Sequence, residues 1–162
     1  MVSTYSFRPM SAADLPQVEQ WLATPHVARW WGEPEEQLAL IRGDLEEPAM
    51  EQFIVAVGDH PFAYLQCYDS SAWPNHGFGT LRARTRGIDQ FIGEPNLIDC
   101  GHGSAFVRCF VGGLFAAGTR RVVTDPSPGN TRAIRAYEKA GFRKSGRVHT
   151  PDGPAVLMVC NA

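Results

Sequence analysis

Gly101 and Gly103, with His102 between them and Ser104 after them, stand between a strand-like segment and the start of an apolar helical run. Backbone N–H groups at such a junction, together with the positive end of the helix dipole, can hold a pyrophosphate, and glycine lets the main chain come close to it. A turn glycine followed by an ordinary helix start explains the same residues. The third glycine of a dinucleotide fingerprint is absent, because Phe106 holds its place, and no Lys-Ser or Lys-Thr pair follows as an ATP loop requires. About a dozen helical residues further on, the strand-like run Arg121 to Thr124 leads into Asp125-Pro126-Ser127-Pro128-Gly129-Asn130. Its two prolines cannot donate to a sheet ladder, so this segment splays neighbouring strands apart. Asp89 is the other group poised for chemistry: between Ile88 and Gln90 in an alternating strand, its carboxylate points away from Ile88.

The remaining reactive residue types exclude more than they suggest. Five histidines (His26, His60, His76, His102 and His149) lack the i, i+4 pairing and the Cys/His spacing of metal sites, so no metal cofactor is expected. Cys67, Cys100, Cys109 and Cys160 are scattered without a C-x-x-C pair, and no signal peptide or long apolar span opens the chain. A reduced cytoplasmic protein is expected, with no membrane partner and Cys100 a buried thiol. With 162 residues, 44% hydrophobic and 20% charged, the sequence predicts one domain over 1–162. A net charge of -2 provides no basic footprint for nucleic acid, so any selectivity by charge is local.

The elements that must hold these groups follow from periodicity and punctuation. Thr4 to Arg8 alternates as a short strand, and Ser11 with Asp14 three residues on resembles a capping box. A helix follows with Leu15, Val18, Trp21 and Leu22 on one face, and Pro25 is expected to end it by disfavouring helix at Thr24. After Trp30-Trp31, Pro34 opens another helix with Leu38, Ile41 and Leu45 as its stripe. Phe53 to Val57 and Phe62 to Tyr68 read as a hairpin with the four-residue connection Gly58 to Pro61. Residues 69 to 86 read as a long surface loop and Gly87 to Ile92 as a central strand. Gly101 to Ala117 forms a helix weakened by Gly112-Gly113, and Asn130 to Ala140 a helix ended by Gly141. Two strands joined by Pro151-Asp152-Gly153-Pro154 complete an α/β (α+β) chain with a mixed sheet and helices on both faces.

Several runs together resemble the aminoglycoside 6'-N-acetyltransferases of the GNAT superfamily. They are Arg86-Gly87-Ile88-Asp89-Gln90, Asp125-Pro126-Ser127-Pro128 with Asn130, Arg132-Ala133-Ile134-Arg135, Tyr137-Glu138-Lys139-Ala140-Gly141-Phe142 and Thr150-Pro151-Asp152-Gly153-Pro154-Ala155-Val156. The likeness covers essentially the whole chain, counts Trp30-Trp31-Gly32 near the start, and is densest from residue 86 onward. It implies a GNAT fold, with a sheet of about seven strands splayed between two parallel central strands. Acetyl-CoA would enter that V-shaped gap, with its pyrophosphate on the loop Gly101, His102, Gly103 and Ser104. Ile98 stands where the superfamily often has Gln or Arg, leaving phosphate binding to backbone donors.

The resemblance also assigns roles. An amine attacks a thioester only as the free base, and Asp89 takes the position that contacts the amine and removes its proton. Tyr137 takes the position that protonates the leaving thiolate of coenzyme A, although a helix tyrosine packed on the sheet would look the same. Gln90 and Asn130 are implied in coenzyme contact, with Asn130 read equally well as a helix N-cap. Asp125 and Asp152 match acidic substrate positions, because a desolvated polycation needs carboxylate partners; for Asp152 a Pro-Asp-Gly-Pro turn is the competing reading. Trp31 corresponds to a tryptophan lining the substrate cleft, against a role in core or lid, while Glu33, Glu35 and Glu36 suit either the cleft's potential or a solvated helix start.

One departure bears on the acceptor. The antibiotic-modifying members carry acids in the loop before Arg-Gly-Ile-Asp-Gln, whereas here residues 73 to 85 contain none and contribute Arg82 and Arg84. The expected partner is a small-molecule amine acetylated directly in a ternary complex, by a monomer or homodimer. The alternatives are another acceptor, such as a siderophore hydroxylysine or a protein N-terminus, or a non-catalytic acyl-CoA-binding module.

Overall fold

A computed structural model of the chain describes residues 3–72 and 83–162. Among these residues seven strands form one sheet in the order β1-β2-β3-β4-β5-β7-β6: β1 Tyr5–Pro9, β2 Met50–Val57, β3 His60–Tyr68, β4 Thr85–Ile92, β5 Arg121–Thr124, β6 Arg143–Thr150 and β7 Gly153–Asn161. Among the described residues five α-helices accompany them: α1 Leu15–Leu22, α2 Pro25–Trp31, α3 Pro34–Asp44, α4 His102–Ala116 and α5 Thr131–Lys139. The chain divides into two compact units, Met1–Gln66 with Gln90–Cys100, and Cys67–Asp89 with Gly101–Ala162.

In the first unit, β1 and β2 pair antiparallel from Tyr5↔Val57 to Pro9↔Phe53. The β2–β3 connection is the two residues Gly58-Asp59, shorter than the four expected, because Gly58 reaches φ +57 and allows a tight reversal. Pro25 likewise does more than stop a helix. α1 already ends at Leu22, and Pro25 becomes the first residue of α2, where its missing N–H costs nothing. The apolar face of α1 contributes Val18, Trp21 and Leu22 to a core completed by Val27, Leu38, Ile41, Ile54, Tyr64 and Phe91. Gln52 is buried there, with its amide nitrogen donating to Ile41 O at 2.9 Å and to the Tyr64 hydroxyl at 3.1 Å.

Before α1, the Asp14 carboxylate accepts from the Ser11 N–H at 2.9 Å, the reverse half of the expected capping box, and takes a two-pronged bond from Arg8 at 2.9 and 2.7 Å. The Arg8 hydrogen bond holds Asp14 below the ordinary carboxylate range, with the Ser11 N–H adding to it. A depressed folded pKa contributes stability above the unfolded value and loses it as pH falls through the folded one. Asp14→Asn is therefore expected to lower the melting temperature near pH 7, and the gap to the parent protein to close as pH falls through the folded pKa of Asp14. A gap of equal size in acid would show that charge is not its origin.

In the second unit, β5 and β7 pair antiparallel from Arg121↔Asn161 to Thr124↔Met158, and β6 and β7 pair along nearly their whole length with an irregularity between Lys144 and Gly146. β4 and β5 are parallel, but only Thr85↔Arg121, Arg86↔Val122 and Gly87↔Val123 are matched. Pairing stops there although β4 runs on, which is the parting of two central parallel strands that the resemblance implied. α4 stays continuous through Gly112-Gly113, because Phe106, Val107, Phe110 and Val111 bury its apolar face. It packs on α5, with the Arg108 guanidinium donating to the Lys139 carbonyl.

Candidate active site

Within the second unit, the end of the β4–β5 pairing gathers the chemistry. Ile88 is fully buried and Asp89 half-buried, in line with alternation along β4. β5 ends at Thr124, so Asp125 follows at once and lies half-buried, and the next carbonyl, of Pro126, accepts from Val156 N at 2.9 Å in β7. The proline segment thus leaves the ladder toward β4 while staying tied to β7. Tyr137 on α5 is buried, its ring centroid 5.4 Å from that of Phe142 at 62°.

Sequence reasoning does not single out Tyr68, whose phenol feels the charges of these groups. It ends β3 and is buried, and its ring covers Gly87: a Cβ built there would meet Tyr68 Cζ at 2.5 Å and Oη at 2.9 Å. Burial first, and then the charges of Asp89 and Asp125 with Tyr137 and Cys67 nearby, push the Tyr68 phenol well above its ordinary pKa. The hydroxyl is therefore protonated at neutral pH. Asp89, Asp125 and Tyr137, far apart in sequence, therefore share one electrostatic neighbourhood around a single hydroxyl. The available signal was the lone glycine inside a strand, which often marks a close approach.

The glycine loop has the geometry of a helix entrance. Gly101 caps α4 in the left-handed region at φ +84, and Ala105 N makes the first bond of the helix, to Gly101 O at 3.3 Å. The amides of Gly103 and Ser104 precede that first bond and belong to the helix's positive end. The Ser104 hydroxyl donates to the same Gly101 carbonyl at 3.3 Å. His102, the first residue of α4, is half-buried. Asn130 is an N-cap, its side-chain oxygen accepting from Ala133 N at 3.2 Å, so the cap reading accounts for that oxygen.

Other expected positions have plainer settings. Asp152 is exposed in the β6–β7 turn, its N–H donating to Thr150 Oγ1 at 3.2 Å while that hydroxyl donates to Gly153 O at 2.9 Å. These turn bonds use the Asp152 main chain and the Thr150 hydroxyl, not the Asp152 carboxylate. Gln90 and Trp31 belong to the first unit. Trp31 is half-buried at the end of α2, edge-on to Phe91 with centroids 5.0 Å apart and to Tyr64 at 6.1 Å. Cys100 is exposed rather than buried, follows the left-handed Asp99 (φ +57), and its thiol donates to Ile98 O at 3.3 Å. Arg84 is exposed beside β4, while Arg82 and most of the expected 69–86 loop lie outside the described residues. Among the described residues no group of three or more His, Cys, Asp or Glu is placed to hold a metal ion, and no helix is long and apolar enough to cross a membrane.

The description "Acetyltransferase (GNAT) domain" matches residues 11–150. The chain belongs to the GNAT acetyltransferase family. Among its GNAT relatives, aminoglycoside N(6')-acetyltransferase type 1 of Klebsiella pneumoniae is 36% identical over 166 residues, covering 95% of this chain and 81% of that one. The solved structure of AAC(6')-Ib in complex with Parmomycin and acetyl-CoA superposes with a TM-score of 0.88 at 33% identity, covering 98% of this chain and 93% of that one. A second structure of that protein, with coenzyme A and kanamycin, gives 0.88, 33%, 98% and 95%. These likenesses carry the GNAT fold over nearly the whole chain.

Proposed function

We propose that the protein is an acetyl-CoA-dependent N-acetyltransferase acting on the 6'-amine of aminoglycosides, with residues 1–162 as one catalytic domain working in the cytoplasm. The observation that carries this is the likeness over 95% of the chain to an aminoglycoside N(6')-acetyltransferase. It is joined by the neighbourhood of Asp89, Asp125 and Tyr137 at the end of the β4–β5 pairing.

In this reading the amine, relieved of its proton by Asp89, attacks the thioester carbonyl carbon directly. The C–N bond forms, the C–S bond breaks, and the departing thiolate of coenzyme A takes a proton from Tyr137. Acetyl-CoA supplies the activated acyl group. The amides from Gly101 to Ser104 and the side chains of Gln90 and Asn130 hold the coenzyme, while Trp31, Asp125 and Asp152 hold the acceptor.

Exposed Arg84, in a segment without acids, favours a second reading in which the acceptor is a less charged amine on the same scaffold. Thiol release measured over a panel of amine acceptors separates the two. The first expects rates on kanamycin-like compounds at least about tenfold above those on simple monoamines; silence on kanamycin with turnover of a monoamine would replace it with the second.

A further inference from the structure

α2 spans seven residues, Pro25–Trp31, too few for a helix to hold its own shape in water. Its place is set by what it touches. Val27 is buried in the core of the first unit, and the Trp31 ring meets the Phe91 ring edge-on at 5.0 Å. One residue further along β4, the carbonyl oxygen of Ile92 lies 2.7 Å from Nε2 of His26, in the first turn of α2. A carbonyl only accepts, so His26 carries a proton on Nε2 and donates it. α2 is therefore tied to two consecutive residues of β4, near its start by a hydrogen bond and at its end by a ring contact. Apolar burial has no preferred direction, whereas a bond of this length fixes where the helix starts along the strand.

We propose that His26 is a positioning residue: its bond to the Ile92 carbonyl holds α2 in register with the end of β4, so that Trp31 stands as a fixed wall for the acceptor. The inference rests on the reading of Trp31 as an acceptor contact. The indole is half-buried, so part of its surface is open to a ligand while Phe91 and Tyr64 hold the rest. Without the His26 donor the Ile92 carbonyl loses a part-buried partner, and α2 loses its register and carries Trp31 with it. His26 acts through α2 on Trp31, so the cost falls on acceptor binding rather than on acetyl transfer.

Two variants and one spectrum test this. His26→Phe keeps a ring and removes the donor, and His26→Gln returns an amide donor on a side chain of similar reach. His26→Phe is expected to raise the KM for kanamycin about tenfold, with kcat and the KM for acetyl-CoA at the parent values, the pattern of lost acceptor binding alone. His26→Gln should recover most of that loss. Nitrogen-15 NMR of the parent protein at alkaline pH should find the His26 proton on Nε2. A proton on Nδ1, or a His26→Gln variant no better than His26→Phe, overturns the proposal. So does a kanamycin KM that His26→Phe leaves unmoved; a lower melting temperature alone would mark the bond as structural. Trp31→Leu with the parent KM for kanamycin would sink the reading of Trp31, and a parent protein silent on kanamycin would sink the acceptor. In either case the proposal falls with the reading it rests on, and a proton on Nε2 shows that the bond itself is not at fault.

Discussion

Asp89→Asn lowers kcat by about two to four orders of magnitude while the dissociation constant for acetyl-CoA, measured by calorimetry, stays at the parent value. The amide keeps the volume of the carboxylate but cannot accept the ammonium proton, and a positioned general base typically contributes about 10²–10⁴-fold. The substituted side chain leaves β4 at a half-buried position beyond the last β4–β5 pair, so neither strand pairing nor core packing should change. Retained turnover at neutral pH would reassign the proton to a water or to Asp125, the other carboxylate near Tyr68. A parallel loss of coenzyme affinity would instead make Asp89 part of the coenzyme site.

Gly93→Ala is expected to be the most damaging single-carbon change in the first unit. A Cβ at Gly93 would fall well inside 3.0 Å of Cγ, Cδ1 and Cδ2 of Trp21. The indole cannot step aside: Trp21 is 2% exposed, its Nε1 donates to Glu94 Oε1 at 3.1 Å, and it meets the Phe91 ring edge-on at 6.3 Å. The strand cannot shift easily either, since Gly93 N donates to Phe62 O at 2.8 Å. Overpacking of this kind costs about 3 kcal/mol or somewhat more, which for a chain of this length lowers the melting temperature by roughly 6–12 °C. Adding Trp21→Phe should recover part of that loss by opening the space. An unchanged melting temperature for Gly93→Ala would mean that Trp21 is not held as described.

Both expectations turn on glycines and carboxylates whose meaning lies in what surrounds them, and this marks how far the sequence is legible. Local rules placed most elements within a few residues: the apolar face of α1, the start of α3 at Pro34, the short strand β5, and the N-cap at Asn130. They also placed Asp89 on the face opposite Ile88. The errors were local as well. A left-handed Gly58 made the β2–β3 connection tighter than its composition suggested, Pro25 opened a helix, and a left-handed Asp99 preceded an exposed Cys100. In each, one residue was compatible with two backbone courses, and packing elsewhere selected between them.

What residue order determined by itself was the set of short-range choices: helical or alternating periodicity, the glycine turn before α4, and the proline break after β5, all governed by neighbours within a few positions. Only the tertiary structure decided that Tyr68 lies over Gly87 and that Asp89, Asp125 and Tyr137 act electrostatically on its phenol. Those groups come from strand ends and a helix separated by dozens of residues. Their proximity depends on the sheet order β3-β4-β5 and on where pairing stops, and no local spacing encodes that.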